Sequence, residues 1–498
     1  MNLYREYKPF RNYLHRLDLI SALQDIWQYS VHIMDDQPLP TTHAIGRNAL
    51  MSGSIKHQLY PWDLDILSKE VVLNAGKGGD RSLRNWNHLW VAVQHLRRLE
   101  NVAFDPEGEG PDVLFELHRL FHRQVPWQQK MGVPDMMRGL KVFGAAAVEE
   151  IVLRDLGMTT TQFFQLGAAI TGHFFKKPGM STNQDYSKLG IPLEASRAFL
   201  ARITCTLDQL RSDIAKRQSY DCDWLYTWNP LEATPLISFD PEYPDRVYCP
   251  IPCYVQRRAS AGIFYDLVNS KGFDNHYGAS FEAYVGEVIN VVCKPPRFVV
   301  RGEEPYLIGG KKFHGVDWVL SDNTGHLFIE SKTKRITLNA KTHSDPAAVD
   351  ADLLVMATAV VQNYENIQRA LDGKTSWKAD GLPIYPLVLT IEDWFIFSPT
   401  INDMLAANIR RLLGEANISE RVLEDMPYTI ASAHEFEIAN QIIAQVGIGP
   451  LWTAKLAKGQ RGWSLLPSIR ENFPEELSKV NWLLFADDWA KLTPSIKA

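Results

Sequence analysis

The chain is short of cysteine. Five in 498 residues, an odd number, cannot build a disulfide scaffold. That excludes the small stapled secreted folds and points to a reducing compartment. No run of about 18 apolar residues occurs, so no membrane span is expected. The opening MNLYREYKPFRNYLHRLDLI mixes charged with apolar side chains and lacks the apolar core of a signal peptide. A cytoplasmic protein is the expectation. Charge of one sign is not in excess either. The 52 basic and 58 acidic residues leave a formal charge of -6. This does not announce a nucleic-acid binder, yet an acidic protein can carry a basic cleft. Low-complexity tracts and internal repeats are absent, which excludes solenoids and arrays. There is no G-x-S-x-G, kinase or dinucleotide fingerprint.

What is present is ordinary globular composition, 45% hydrophobic and 22% charged, enough for about two to four domains. Residues 1–255 are expected to be mainly helical. Apolar residues recur at helical spacing over Tyr4–Tyr29, Leu64–Leu73, Trp86–Leu99, Thr160–Phe175 and Pro192–Ile214. Trp224–Tyr254 then carries six prolines, which exclude a long helix and predict an extended, wrapping segment. Residues 256–400 change pattern. A helix is expected over Gly278–Val292, with strands over Arg297–Val300, Gly315–Leu320 and His326–Lys332. Ser321–Gly325 (SDNTG) is a hairpin turn. A long helix follows over Pro346–Leu371, then a strand over Leu382–Thr390 whose first half is weakened by Pro383 and Pro386. Residues 401–498 return to helices, including Asn402–Leu413 and His434–Gly447. The fold class is therefore α+β and multidomain: an α/β core of helix, three strands, helix and strand between large, mainly helical regions.

Chemistry concentrates in GVDWVLSDNTGHLFIESKTKR, Gly315–Arg335. Residues two apart on a strand share a face, so Glu330 and Lys332 project together. Asp317 on the partner strand can join them. Two carboxylates beside one lysine suit a hard divalent cation such as magnesium, which takes carboxylate oxygens, water and substrate phosphate. Asp317 and Glu330 are the candidate ligands, with the backbone carbonyl of Ser331. Lys332 is placed to orient or deprotonate water and to stabilise developing charge. On the helix upstream, Glu282 and Glu287 lie five apart and point in different directions. Glu282 borders the apolar stripe of Phe281, Tyr284, Val285, Val288 and Ile289, so it is preferred; Glu287 is the alternative. From Lys294 to Lys341 nine basic residues face five acidic ones, against the sign of the whole chain. Such a surplus contacts phosphates without reading bases.

These residues, in SFEAYVGEVI, GVDWVL and FIESKTKR, resemble the PD-(D/E)XK nuclease superfamily with its restriction-endonuclease-like core. The resemblance covers residues 270–400, with thirteen residues from Asp317 to Glu330. The family's proline before the aspartate is Val316 here. The resemblance implies a Mg²⁺-dependent endonuclease, with Mn²⁺ able to substitute, that hydrolyses DNA, double-stranded by preference. It implies catalytic roles for Glu282, Asp317, Glu330 and Lys332. It also implies service in bacterial defence against foreign DNA or in repair, often as a homodimer. The helical regions are then expected to grip substrate, bind a protein partner or build an oligomer. Three other readings stay open: an inactive nuclease-like binding module, an RNA-directed nuclease, and a helical structural protein with an incidental α/β insert.

Other motifs carry less. Ala75–Asp80 (AGKGGD) resembles a phosphate loop only superficially, because Lys77 is not followed by Ser or Thr. Cys249 and Cys253, with Cys222 nearby, lack an obvious fourth zinc ligand. His15, His118 and His122 are expected at the surface or rim. His326 is expected at the far end of its strand from Glu330, and His314 nearer the site. Lys334 is expected to share the face of Lys332 if the strand continues, with Arg335 facing away. Lys311 and Lys312, after Gly309-Gly310, are expected in a solvated turn.

Overall fold

Tyr7, Phe10, Tyr13 and Leu14 recur at helical spacing and form the buried face of the helix Tyr4–Leu14. The computed structural model describes residues 3–43, 55–104, 113–129 and 132–492. They fall into two units. The first comprises residues 1–113, 123–132 and 149–273; the second comprises 114–122, 133–148 and 274–498.

In the first unit, Tyr4–Leu14, Leu19–Asp35, Pro61–Asn74 and Trp86–Phe104 share one apolar core. The loop Ala75–Asp80 is a largely exposed turn that runs alongside residues 16–18. The Gly78 amide donates to Asp18 at 3.1 Å, and a Cβ at Gly79 would fall 2.2 Å from the Arg16 carbonyl oxygen. These glycines let the chain run against residues 16–18, and a carboxylate already holds the Gly78 amide. The proline-rich segment forms no long helix, as expected. It does more than wrap, because two strands of a small sheet, β1 (Gly179–Ser181), β2 (Thr204–Thr206), β3 (Leu236–Ser238) and β4 (Arg246–Tyr248), in order β1-β4-β3-β2, come from it: β3 and β4. Strands of three residues are too short for alternation to reveal them.

The second unit is built on a five-stranded mixed sheet, order β11-β10-β9-β8-β5. Its strands are β5 (Val299–Gly302), β8 (Trp318–Asp322), β9 (Gly325–Lys332), β10 (Ile384–Thr390) and β11 (Thr429–Ser432). A separate hairpin of β6 (Tyr306–Ile308) and β7 (Lys311–Phe313) lies between β5 and β8 in sequence. Its turn, Gly309-Gly310, has two positive φ angles, which only glycine adopts without cost. Lys311 and Lys312 are exposed, on a strand rather than in the turn. β8 and β9 pair antiparallel across the Ser321–Gly325 turn, whereas β9–β10 and β10–β11 are parallel. Pro386 is tolerated because β11 pairs only from Leu387 onward, so the proline sits where β10 still has an open edge.

Long helices complete the unit. The helix Pro346–Leu371 matches its expected span and packs against β9 and β10. Its buried Asn363 donates to the carbonyls of Phe328 and Leu387 at 3.0 and 3.1 Å. The helix Phe273–Val292 carries Glu282 and Gly286. A Cβ on Gly286 would lie 2.1 Å from the Trp318 ring. Alanine is the better helix former by about 1 kcal/mol. Even so, Gly286→Ala is expected to destabilise by about 1–3 kcal/mol through overpacking. The denaturant midpoint measures this, and an unchanged or raised midpoint would show that the ring does not rest on this residue. Residues 401–498, expected as a separate helical region, belong to the same unit, where β11 completes the sheet. The described residues contain no helix long and apolar enough to cross a membrane.

His118 corrects the sequence expectation of a surface or rim position, for it is 1% exposed. Its Nε2 lies 3.2 Å from the Ala340 carbonyl and its Nδ1 has no partner, so burial pushes its pKa down to about 4. An unfolded histidine takes up a proton below about 6.5, and the folded one resists until about 4. The unfolded state therefore binds more protons in that window, and stability falls as pH falls through it. Relative to His118→Gln, the wild type is expected to lose about 2 kcal/mol between pH 7 and pH 5. Parallel stability–pH curves would refute this.

Candidate active site

β9 runs GHLFIESK, and its first six residues are buried. Glu330 and Lys332 fall at its carboxyl end and share the face of Phe328. The register fixes their neighbour. Trp318 pairs with Ile329, so Asp317, one step earlier, stands opposite Glu330. Gly302 pairs with Trp318, which puts Glu303 opposite Asp317 in the same way. Three carboxylates thus form a row across three strand ends. Trp318 alternates to the other face, and its indole Nε1 donates to the Glu282 carbonyl at 2.9 Å. That bond, with the contact at Gly286, ties Glu282's turn of helix to the end of β8.

Individual contacts show how the row is held. The Asp317 Oδ2 accepts the Ser331 amide at 2.5 Å. The Lys332 Nζ donates to Glu330 Oε1 at 2.7 Å and to Gln362 Oε1 at 3.3 Å. Glu330 is 2% exposed, and its second oxygen, Oε2, is buried with no hydrogen-bond partner among the described residues. Burial is the main force raising the pKa values of Glu330, Glu282 and Asp317, and repulsion between acids adds to it. Glu330 is pushed up to about 7 by burial, then by Asp317 and Glu282, against the pull of Lys332. Glu282 reaches about 7 through burial, Asp317 and Glu303. Asp317 is also raised, by burial and Glu303, although the Ser331 amide and Lys332 oppose this. One lysine does not compensate so many acids in a poorly hydrated place.

The structure brings Glu282, Asp317, Glu330 and Lys332 into one electrostatic cluster. It does not bring Glu287. That residue pairs with Lys141 at 2.8 Å and is half exposed, because five helical positions turn it away from Glu282. Lys334 does not share the Lys332 face: β9 ends at Lys332, and Lys334 lies 3.5 Å from Asp352. Arg335 turns to Glu392 at 3.3 Å. His314 pairs with Glu303 at 3.1 Å. His326 sits at the far end of β9, between Ser321 and Asp380. Glu303 is the residue that sequence reasoning missed. It counted only as local charge, and the register of β5 on β8 is the signal that selects it.

Among the described residues, no group of three or more His, Cys, Asp or Glu side chains is arranged to hold a metal ion. A magnesium site does not require such a cage, since the ion keeps several waters and takes one or two carboxylates plus substrate phosphate. The unpartnered Glu330 oxygen and the repulsion along the row are the features that fit such an ion. The N–H and C=O of one strand residue point to the same flank. The Ser331 carbonyl therefore faces the side of Asp317. No protein-family model, no curated protein and no solved structure matches this chain.

Proposed function

We propose that the second unit is a magnesium-dependent nuclease that hydrolyses phosphodiester bonds in DNA. The observation that carries this reading is the buried, unpartnered Glu330 Oε2, opposite Asp317 and held beside Lys332. The order of helix, three strands, helix and strand supports it, as does its resemblance to the PD-(D/E)XK core. Asp317, Glu330 and the Ser331 carbonyl would hold Mg²⁺ or Mn²⁺, which when bound polarises a phosphate and acidifies water. Lys332 stands on the same face and can hold or take a proton from the attacking water. It also offsets charge building on the phosphate. Glu282, its pKa raised to about 7 by burial and Asp317, can orient that water through a hydrogen bond. Exposed Lys311 and Lys312 add positive charge near Asp317 in sequence, suited to a phosphate backbone.

The test uses plasmid, linear duplex, single-stranded DNA and RNA, each incubated with purified protein and Mg²⁺ or Mn²⁺. Nicking or linearisation of plasmid is expected, with complete loss on chelation. Cleavage that survives both chelation and Glu330→Gln would overturn the reading. Cleavage of RNA alone would move the assignment to the other polymer while keeping the site.

A further inference from the structure

A cavity of about 490 Å³ opens in the second unit beside the sheet, separate from the carboxylate row. Thr390 and Ser432, the last residues of the parallel strands β10 and β11, form part of its wall. Parallel sheets place ligands outside the carboxyl ends of their strands, and sites for small molecules span roughly 300–1,000 Å³.

The wall defines the ligand. Trp394, Phe395, Tyr428 and Trp463 offer flat faces for a ring, and Trp463 is exposed. Phe395 is held at a φ of 46°, a backbone conformation that a bulky residue adopts only under strain. Arg461 and Lys455 bring positive charge, and Lys455 is fixed by its bonds to the Gln460 and Arg461 carbonyls. Thr429 is 3% exposed and its Oγ1 has no partner. Glu435 is already used: it accepts the Ser432 and Leu466 amides at 3.2 and 2.9 Å. Asp393 and Asp403 also line the wall, and Asp403 offers an acceptor for amino or hydroxyl groups.

We propose that this cavity binds a mononucleotide, with its base against the aromatic wall and its phosphate toward Arg461 and Lys455. Occupancy is felt at Lys332. Trp394 Nε1 donates to the Lys334 carbonyl at 3.3 Å, and Glu392 pairs with Arg335 at 3.3 Å. Lys332, Thr390 and Ser432 are also level in the register. Binding does not depend on the nuclease reading; the meaning of the coupling rests on it.

Calorimetry without divalent metal, using AMP, GMP, CMP, UMP and inorganic phosphate, tests the site. At least one nucleotide is expected to bind at one site. Arg461→Ala and Trp463→Ala, both at exposed positions, are each expected to weaken it by about tenfold or more. Glu287→Gln, outside both the cavity and the carboxylate row, is expected to bind as the wild type does. The proposal falls if no nucleotide binds, if phosphate alone binds equally well, if both cavity variants keep full affinity, or if Glu287→Gln loses it. Slower amide exchange over residues 331–335 on binding is expected, and unchanged exchange overturns the coupling. Plasmid cleavage is read separately, so a protein that binds nucleotide and never cuts refutes only the nuclease reading.

Discussion

Lys332→Ala is expected to cut plasmid about 10²–10⁴-fold more slowly than the wild type, the usual contribution of a positioned acid–base group. The residue ends β9, and its side chain is 30% exposed, so truncation leaves no large cavity. Its ammonium is the cation that lowers both Asp317 and Glu330. Removing it takes away a proton-handling group and lifts both acids further. Lys332→Arg keeps the charge but replaces a compact ammonium with a planar fork, and is expected to recover little. Initial rates on supercoiled plasmid, with folding checked by circular dichroism, decide the matter. Wild-type rates in Lys332→Ala would place the chemistry elsewhere.

Glu330→Gln is expected to abolish cleavage and yet raise stability at alkaline pH. Folding raises the Glu330 pKa from 4.5 to about 7. The folded state thus holds a proton that the unfolded state has released, and stability is lost as pH rises from about 4.5 through 7. At pH 8 the buried carboxylate destabilises by about 2–3 kcal/mol, which glutamine removes. The variant is expected to melt above the wild type at pH 8 and level with it near pH 4.5. Magnesium should raise the wild-type midpoint, because a ligand bound only by the folded state stabilises it, and should leave the variant unmoved. A variant less stable than the wild type at pH 8, or one equally stabilised by magnesium, would sink this account. Sites that need close like charges commonly trade stability for function in this way.

The two variants also separate what was legible from what was not. The span of Pro346–Leu371 could be read directly, because a proline at the first turn and a steady apolar face are local signals. The hairpin of β8 and β9 could be read too, since turn chemistry and alternation lie within one short stretch. Three-residue strands in the first unit could not, because their pairing partners are distant in sequence. His118 misled for a similar reason: a histidine amid polar residues looks like surface until Ala340 packs on it.

At the site, local chemistry selected Asp317, Glu330 and Lys332, because strand periodicity alone puts the last two on one face. It preferred Glu282 over Glu287, the alternative, from the edge of an apolar stripe. The structure adds the anchor, Trp318 seated on Gly286 and bonded to the Glu282 backbone, and pairs Glu287 with Lys141. Glu303 entered only through the register of β5, and Lys334 left only because β9 stops two residues short of it. Sequence by itself determined the residue types, the helix and strand periods and the hairpin that pairs Asp317 with Glu330, all of which act over a few neighbouring positions. The tertiary structure decided which distant acids join the row, how far burial raises them and where the aromatic cavity opens. Those depend on pairing and packing between segments far apart in the chain, which no local pattern encodes.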